Sequence, residues 1–378
     1  MNCYKCLLFI FLSICSLNRA AAAVVSIGLF TDIHVQRLFI TSTSGEYELW
    51  SDGISKGIIS PDNLLTIAVE GDNITTKNRE TDYGTSHKIE LKSRNNEATF
   101  RIETGDIYHK SGIFEDDFSI ELRNGSLLLI NHVELEKYVA AVVEAEVGVK
   151  TNAEFYKMQS LLCRTFYLSN KNKHAADGYK LCDRYHCQVY KNKCRKPIIY
   201  SSVLATKGMV LVDANNELIL SVYHSNCGGE TEPSERVWGS KRNYLRSIKD
   251  TFCLASKNAK WEKQIPIDDW RKYLRKNKIT SEGALPDTNY CMSQEKREKF
   301  YSFNRQEISV NKIRNDWKLN STFFNIEQKG NFIVISGRGY GHGVGVCQEG
   351  ALMMAENGYS YTKILNHYYN GIKIVNRE

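Results

Sequence analysis

The first third of the chain carries short apolar runs separated by turn-forming residues. The apolar runs are typical of β-strands, and glycine beside aspartate or asparagine is typical of the turns between strands. The pattern therefore predicts a strand-rich N-terminal part over residues 24–130. The runs that carry this prediction are Val24–Phe30, Tyr47–Trp50 and Leu127–Ile130, and the turns are Ser51–Gly53, Glu70–Asp72 and Arg123–Gly125.

Residues 134–170 have the pattern of two helices. Glu136–Val147 contains no helix breaker, and Gly148 follows it as a stop signal. Thr151–Glu154 has the spacing of a capping box before the second apolar run, Phe155–Leu168.

The remainder of the chain mixes both kinds of element. A loop rich in cysteine and histidine covers residues 171–197, strands are predicted over 198–223, and a charged, helix-prone insert covers 250–300. Trp261 and Trp270 are the expected anchors of that insert. The final segment is predicted as strand, glycine loop and helix. A strand-rich start followed by a mixed region over 131–378 indicates an α+β fold.

The first 23 residues have the pattern of a secretory signal. Lys5 precedes the apolar run Leu7–Leu12, and the small residues Ala20–Ala23 follow. The apolar run is too short to span a bilayer, and no later segment is apolar enough to do so. We therefore expect an exported chain without a transmembrane segment. Leu12–Cys15 resembles a lipoprotein cleavage box, so lipid anchoring at Cys15 is an alternative.

Charge and cysteine content refine this picture. The formal net charge is +7, and no basic stripe typical of nucleic-acid binding is present. Eight cysteines follow the predicted signal, and an even number in an oxidising compartment fits disulfides, a metal site or both.

The segment Gly337–Gly350 carries the strongest local signal. Five glycines occupy every second position from Gly337 to Gly345, with Arg338, Tyr340 and His342 between them. Glycines allow close approach of a ligand to the backbone, so this loop is predicted to be a binding surface. Neither the Walker nor the dinucleotide glycine spacing is present, which argues against phosphate binding.

The predicted helix over 136–147 carries two candidate acids near its end. Glu144 and Glu146 are two residues apart, so they point to different faces, and Glu146 shares its face with Tyr138 and Val142. An apolar environment raises the pKa of a carboxyl group, as a general acid requires. Two surface glutamates are the alternative.

Arg164, in the apolar run of the next helix, must pair with an acid or reach water.

His174, Cys182 and Cys187 have ligand types and spacing that suit zinc. His186 and Cys194 lie nearby. A disulfide between Cys182 and Cys187 with solvated histidines is the alternative, and the residues alone leave both open.

Four blocks of this sequence resemble the stage II sporulation protein D family, lytic transglycosylases related to the amidase-enhancer protein of the cell wall. Together the blocks extend over roughly residues 130–375. They are Tyr138–Glu146 with Gln159 and Cys163–Tyr167; Cys182 with His186–Tyr190; Tyr223–Glu232 with Val237–Gly239; and Leu319–Phe324 leading to Gly339–Gly345, Gln348, Gly350, Ala351 and His367–Tyr369.

The resemblance implies cleavage of peptidoglycan glycan strands between N-acetylmuramic acid and N-acetylglucosamine, giving 1,6-anhydro products, preferably on strands without stem peptides. It implies Glu146 as catalytic acid and base, Arg164 as a residue that positions Glu146 or binds substrate, and a structural zinc on His174, Cys182 and Cys187. A cell-wall amidase is the implied partner, and a non-catalytic glycan-binding module that stimulates such an amidase is the alternative function. The implied substrate-binding residues are Tyr223, Ser225, Gly228, Gly229, Tyr340, His342 and Gln348.

The chain also departs from the family pattern. Val147 and Gly148 follow Glu146 where Met-Pro is usual, and cysteine replaces the usual serine at positions 227 and 347. If both loops flank one groove, Cys227 and Cys347 are expected to form a disulfide. Cys253 and Cys291 are then the expected second pair.

Overall fold

The computed structural model describes residues 23–95, 97–149, 152–279, 290–303 and 305–377. Apart from Ala23, the segment predicted as a secretory signal lies outside these residues, as does Cys15. Among the helices that are described, none has the length and apolar character needed to cross a membrane.

Within the described residues, twelve strands precede the first helix, as the apolar runs and turns of residues 24–130 predict, and shorter strands follow later. The strands are β1 (Val24–Leu29), β2 (Arg37–Ser44), β3 (Tyr47–Ser51), β4 (Ile54–Ile59), β5 (Leu64–Glu70), β6 (Asn73–Lys77), β7 (Asp82–Ser86), β8 (Lys88–Ser93), β9 (Thr99–Thr104), β10 (Ser111–Glu115), β11 (Asp117–Arg123), β12 (Ser126–Glu134), β13 (Leu181–Cys182), β14 (Met209–Val212), β15 (Tyr223–His224), β16 (Lys260–Pro266), β17 (Phe300–Phe303), β18 (Gln306–Ser309), β19 (Phe324–Lys329), β20 (Phe332–Arg338), β21 (Val346–Cys347) and β22 (Lys373–Asn376).

The helices begin directly after β12, which confirms an α+β fold. They are α1 (Leu135–Val147), α2 (Ala153–Asn170), α3 (Pro197–Leu204), α4 (Ser234–Trp238), α5 (Ile267–Lys276), α6 (Val310–Trp317), α7 (Gln348–Glu356) and α8 (Tyr361–Tyr368). The two predicted helices correspond to α1 and α2. Asn152 caps α2, because its side chain accepts from the backbone N–H groups of Glu154 and Phe155.

Two sheets form most of the N-terminal part, and their strands are antiparallel except where β13 pairs in parallel with β1. One has the strand order β13-β1-β12-β11-β8-β3-β4 and the other the order β10-β9-β2-β5-β6-β7. Aromatic rings from the two sheets meet in a common core. The Phe100 ring of the second sheet lies 5.5 Å from that of Tyr47 and 5.1 Å from that of Phe118, both in the first sheet. Buried and partly exposed residues alternate along β3, so one face of its sheet packs in this core.

The prediction of strands over 198–223 is wrong at its start, where α3 forms. Pro197 occupies the first turn of α3, where its fixed backbone angle suits a helix. Ile199, Ser202 and Val203 are buried, which is the helical spacing of one packed face. Packing therefore overrides the strand preference of the branched residues.

A second, smaller core is formed by residues 265–335. The three-stranded sheet β16-β20-β19 packs there with α5, α6 and the β17–β18 hairpin. Trp270 is fully buried in this core, so its role as an anchor is confirmed. Among the described residues of the charged insert predicted over 250–300, β16 leads into one helix, α5.

Candidate functional site

Glu146 lies at the end of α1 and faces the later part of the cysteine- and histidine-rich loop. Its Oε1 atom accepts the backbone N–H of Val189 at 3.0 Å, and its carboxyl group is also hydrogen-bonded to the Tyr223 side chain. Glu144, two residues earlier, instead accepts the backbone N–H of Arg195 at 2.7 Å. The two carboxyl groups therefore have different environments, as their positions on the helix predict.

Burial raises the pKa of Glu146 above its ordinary value of 4.5. The Val189 N–H, the Tyr223 hydroxyl and the charge of Lys191 act in the opposite direction without cancelling the burial. A carboxyl group with a raised pKa keeps its proton to higher pH, which suits proton donation.

The raised pKa has a consequence for stability that can be measured. The native state holds the Glu146 proton more tightly than the unfolded chain, so this contribution to stability is complete below pH 4.5 and is lost as the pH rises through the native pKa. We expect Glu146→Gln to unfold at a higher temperature than the wild type at neutral pH, since glutamine keeps the acceptor for Val189. The difference should disappear in acid. Melting curves across this pH range test it, and a variant less stable than wild type at neutral pH contradicts it.

Tyr223 connects Glu146 to the glycine loop. β15 runs parallel to β21, with Tyr223 opposite Val346 and His224 opposite Cys347. His342 is hydrogen-bonded to the backbone carbonyl of Tyr223, and its Nδ1 atom accepts the N–H of Val344 at 3.0 Å. Burial lowers the pKa of His342 to about 4, so the imidazole is neutral at neutral pH.

Sequence analysis did not select two neighbours of His342. The ring of His224 lies 5.5 Å from that of His342, and the ring of Trp238 lies 5.3 Å from it. His224 is buried and its Nε2 atom has no partner among the described residues, whereas Trp238 is 45% exposed. Side chains alternate along a strand, so His224 in β15 could have been predicted to point away from the side on which Tyr223 contacts Glu146.

Ser225 lies in a polar network at the start of α7. Its hydroxyl donates to Glu349 Oε1 at 3.4 Å and accepts from Asn258 at 3.2 Å. Asn226 donates to the second oxygen of Glu349 at 2.6 Å. Gln348 precedes Glu349, and its buried Nε2 atom has no partner in the described part of the chain.

The glycine loop packs closely against the chain's own backbone. A Cβ atom at Gly339 would lie 2.6 Å from the carbonyl oxygen of Asn226, and one at Gly345 would lie 2.2 Å from that of Val222. Gly228, on the opposite side of the contact, is buried against the backbone of Arg338. These glycines therefore join two segments of the protein, which corrects the expectation that Gly228 offers bare backbone to substrate. Gly229 is partly exposed and stays a candidate.

This packing predicts different costs for two glycine substitutions. Gly345 and Gly358 have φ values of +72° and +83°, so alanine is strained at either position, by about 1–2 kcal/mol. Open space surrounds Gly358, whereas Gly345 would place its Cβ atom against Val222. We expect Gly345→Ala to cost about 1–3 kcal/mol more than Gly358→Ala in urea unfolding. Equal costs would mean that the loop does not pack in this way.

The other polar residues of the loop have contrasting positions. The Tyr340 side chain is 47% exposed, although its backbone pairs with Asn226 in both directions. The Arg338 guanidinium lies 3.7 Å from the centre of the Phe323 ring and donates to the carbonyl of Gln294 at 3.0 Å. Tyr340 is therefore open to a ligand, and Arg338 holds the second core against the loop.

The structure does not bring Arg164 to Glu146. Arg164 is fully buried and pairs with both carboxylate oxygens of Glu136, at 2.9 Å and 2.5 Å. It also donates to the carbonyl of Met209 at 3.0 Å. Ten residues separate Glu136 from Glu146, about 15 Å along the helix. Arg164 therefore does not contact Glu146; it fixes α1, the helix that carries Glu146, against α2 and β14. Its predicted role in positioning Glu146 or binding substrate stays a prediction.

The cysteine- and histidine-rich loop brings four side chains together. The ligand atoms of His174, Cys182, His186 and Cys187 lie within 4.8 Å of one another. His186 joins the three residues predicted as ligands. The Nε2 atoms of the two histidines are 3.2 Å apart, and Cys187 Sγ is 3.4 Å from that of His174. Asp177 accepts from the other nitrogen of His174 at 2.8 Å, an arrangement that orients metal-binding histidines.

The expected pairing of the remaining cysteines is wrong. Cys253 lies against Cys227, with their sulfur atoms 3.4 Å apart, and Cys291 is exposed. The physical reason is that Asp250 donates its N–H to the carbonyl of Gly229, which folds this segment onto the turn at Cys227. Cys347 does lie beside Cys227, but all cysteines of the described residues are free thiols.

Comparison with known proteins adds independent information. The sequence profile described as Stage II sporulation protein matches residues 123–212, which include α1, α2 and the four-residue ligand cluster.

Three characterised relatives extend the similarity beyond this segment. Stage II sporulation protein D of Bacillus amyloliquefaciens is 27% identical over 85% of this chain and 93% of its own length. The Bacillus subtilis protein of that name is 29% identical over 65% of this chain and 75% of its own. The amidase enhancer of Bacillus subtilis is 26% identical over 61% of this chain but 39% of its own length. The comparisons therefore support the assignment of this chain to the stage II sporulation protein D and amidase-enhancer family, which its sequence blocks resemble.

Proposed function

We propose that this protein acts on the bacterial cell wall as a peptidoglycan lytic transglycosylase, with Glu146 as its single acid and base. The observation that carries the proposal is the half-buried Glu146 carboxyl group, whose pKa is raised and which bonds Tyr223 beside the glycine loop. Similarity to proteins named for sporulation stage II and for amidase enhancement supports a role in cell-wall processing.

In the first step, protonated Glu146 donates its proton to the glycosidic oxygen between N-acetylmuramic acid and N-acetylglucosamine. The bond from C1 of the muramic acid to that oxygen breaks, and positive charge develops at C1. The hydrogen bonds from Val189 and Tyr223 hold the carboxyl group in position and stabilise the carboxylate that proton transfer leaves.

In the second step, the C6 hydroxyl of the same sugar attacks C1, and its proton passes to the Glu146 carboxylate. The product is a 1,6-anhydro sugar, and Glu146 returns to its protonated state. A hydrolase needs a second carboxylate at a defined separation. The sequence offers no clear candidate for that second carboxylate, which supports the intramolecular route.

Substrate binding is assigned to the surface around His342. The exposed rings of Trp238 and Tyr340 offer flat apolar faces of the kind that sugar rings contact, and Trp238 lies against His342. Ser225 and the unpartnered amide of Gln348 supply polar groups from neighbouring segments. Ser225, Tyr340, His342 and Gln348 are also among the residues that the family resemblance implies, whereas Trp238 is not.

Zinc on His174, Cys182, His186 and Cys187 is part of the proposal. A tetrahedral zinc with ordinary bond lengths separates its ligand atoms by about 3.3–3.8 Å. The distances of 3.2 Å, 3.4 Å and 3.6 Å between neighbouring ligand atoms fit this geometry. With four protein ligands the metal would be structural, and would fix the loop whose end supplies the Val189 N–H to Glu146.

Export and an amidase partner complete the proposed role, since glycan strands lie outside the cytoplasm. The amino-terminal pattern from Lys5 to Ala23 supports export, with lipid anchoring at Cys15 as its variant. The relative named amidase enhancer supports a cell-wall amidase as partner. It also favours the second candidate function, a glycan-binding module that stimulates an amidase without cleaving glycan itself.

Mass spectrometry of purified denuded glycan strands, incubated with the full mature chain, tests the proposal. Fragments ending in anhydro sugars are expected. Fragments ending in reducing sugars carry an additional water and would establish a hydrolase instead. Intact strands together with retained glycan binding would favour the amidase-stimulating module, which is then tested by adding an amidase to the same strands.

A further inference from the structure

A second group of metal-ligand side chains lies beneath the glycine loop. Cys227, Asp250, Cys253 and Cys347 are all fully buried, and their ligand atoms lie within 4.8 Å of one another. They come from three segments: the turn after β15, the Asp250–Cys253 stretch, and the residue that caps α7. Neither the acid and base chemistry nor the His174 cluster uses any of them.

The spacing of these atoms fits a small tetrahedral ion. Cys227 Sγ lies 3.4 Å from Cys253 Sγ and 3.3 Å from Asp250 Oδ2. A zinc ion with three sulfur ligands and one oxygen ligand separates its ligand atoms by about 3.5–3.8 Å. Binding would therefore require movements of only a few tenths of an ångström at these atoms.

Backbone groups around the cluster donate to one of its sulfur atoms. Cys347 Sγ accepts the N–H of Cys227 at 3.3 Å and that of Gly350 at 3.4 Å. Such N–H donors surround sulfur atoms that act as thiolate ligands, since the donors orient them and reduce their charge.

The acidic ligand is oriented in the same way. The Tyr368 hydroxyl donates to Asp250 Oδ2 at 2.9 Å, and the N–H of Phe252 donates to Oδ1 at 3.0 Å. Gly350 leaves room for this contact, because a Cβ atom there would lie 2.4 Å from Asp250 Oδ2. The carboxylate is thus fixed toward the three sulfur atoms.

No basic side chain competes with a cation at this cluster. Within the described residues, no lysine, arginine or histidine side chain donates to any of the four ligand atoms, and Arg297 instead donates to the Cys227 carbonyl at 2.6 Å. A bound cation would therefore be the group that compensates the charge of thiolate and carboxylate ligands. A disulfide would use two of the thiols and leave the third thiol and the carboxylate without a common partner.

We propose that Cys227, Asp250, Cys253 and Cys347 bind a structural zinc ion. Sulfur-rich tetrahedral sites prefer zinc, and four protein ligands leave no open position for catalysis. The ion joins the segment after Tyr223 to the segment after His342. It therefore holds together the two strands, β15 and β21, that form the floor of the proposed glycan groove.

Metal analysis of the purified full-length protein under reducing conditions tests this site separately from the first. Elemental analysis is expected to give about two zinc ions per chain for the wild type. The double variant Cys182→Ser, Cys187→Ser lacks the site in the cysteine- and histidine-rich loop and should give about one. Adding Cys253→Ser should remove the remaining ion. Adding Cys291→Ser, which alters an exposed cysteine outside both clusters, should leave it bound.

Cobalt substitution provides a second measurement that does not depend on the folding of the Cys253 variant. Cobalt bound to the Cys182→Ser, Cys187→Ser variant should give thiolate-to-metal charge-transfer absorption. It should also give the visible absorption bands of tetrahedral cobalt. The proposal is overturned if this protein binds neither metal while its thiols react freely after denaturation. It is also overturned if peptide mapping without reductant finds a disulfide between any two of the three cysteines in metal-replete protein.

Discussion

Replacing Glu146 with glutamine is expected to reduce the rate of glycan-strand cleavage by about 100- to 10,000-fold, the range that a positioned general acid contributes. Glutamine keeps the size of the side chain and the oxygen that accepts the Val189 N–H. It has no proton to transfer to the glycosidic oxygen. The loss should therefore lie in the chemical step, with binding of denuded strands unchanged.

Glu144→Gln is the matched control for this experiment. Glu144 lies on the same helix two residues earlier, and its carboxylate contacts the backbone of Arg195 instead of Val189. Cleavage by this variant should stay close to the wild-type rate. Equal losses in both variants would point to damage to the end of α1, and an active Glu146→Gln would remove Glu146 from the mechanism.

The position of Glu146 could be predicted from the sequence to a large extent. An uninterrupted apolar run followed by Gly148 defines α1, and helical spacing places Glu146 on the same face as the buried Tyr138 and Val142. That face predicts a carboxyl group with a raised pKa, in the direction that its burial produces. Local pattern is sufficient here because the relevant neighbours lie on the same helix.

The partner of Arg164 could also have been predicted, although the sequence interpretation missed it. A short connection between two helices makes them antiparallel neighbours, and α1 and α2 are separated by residues 148–152. Positions equally distant from the middle of this turn lie side by side. Glu136 and Arg164 are both fourteen residues from position 150, whereas Glu146 lies level with position 154.

Contacts between segments that are far apart in the sequence could not be predicted from local patterns. Cys227 meets Cys253 and Cys347 because β15 pairs with β21 and the Asp250 segment folds back onto Gly229. Neither pairing has a local signal, and the sequence alone therefore suggested Cys291 as the partner of Cys253. His186 was noted near the predicted zinc ligands, but only the conformation of its loop makes it the fourth member.

Arg164→Met is expected to lower the free energy of unfolding by about 3–5 kcal/mol, the usual cost of removing one partner of a buried ion pair. The substitution leaves the Glu136 carboxylate buried without its bidentate partner and removes the donor to the Met209 carbonyl. Chemical denaturation measures the loss. Arg94→Met is the control, because Arg94 pairs with Glu46 at the surface and should contribute at most about 1 kcal/mol.

Combining Arg164→Met with Glu136→Leu distinguishes a role of Arg164 in stability from a role in catalysis. Replacing a buried pair by apolar side chains of similar size is often close to neutral, so the double variant should recover much of the lost stability. Because Arg164 contacts Glu136 and not Glu146, the folded double variant should also cleave glycan strands at a rate similar to the wild type. A double variant that is stable yet inactive would contradict this, and would return Arg164 to the catalytic machinery that the family resemblance assigns to it.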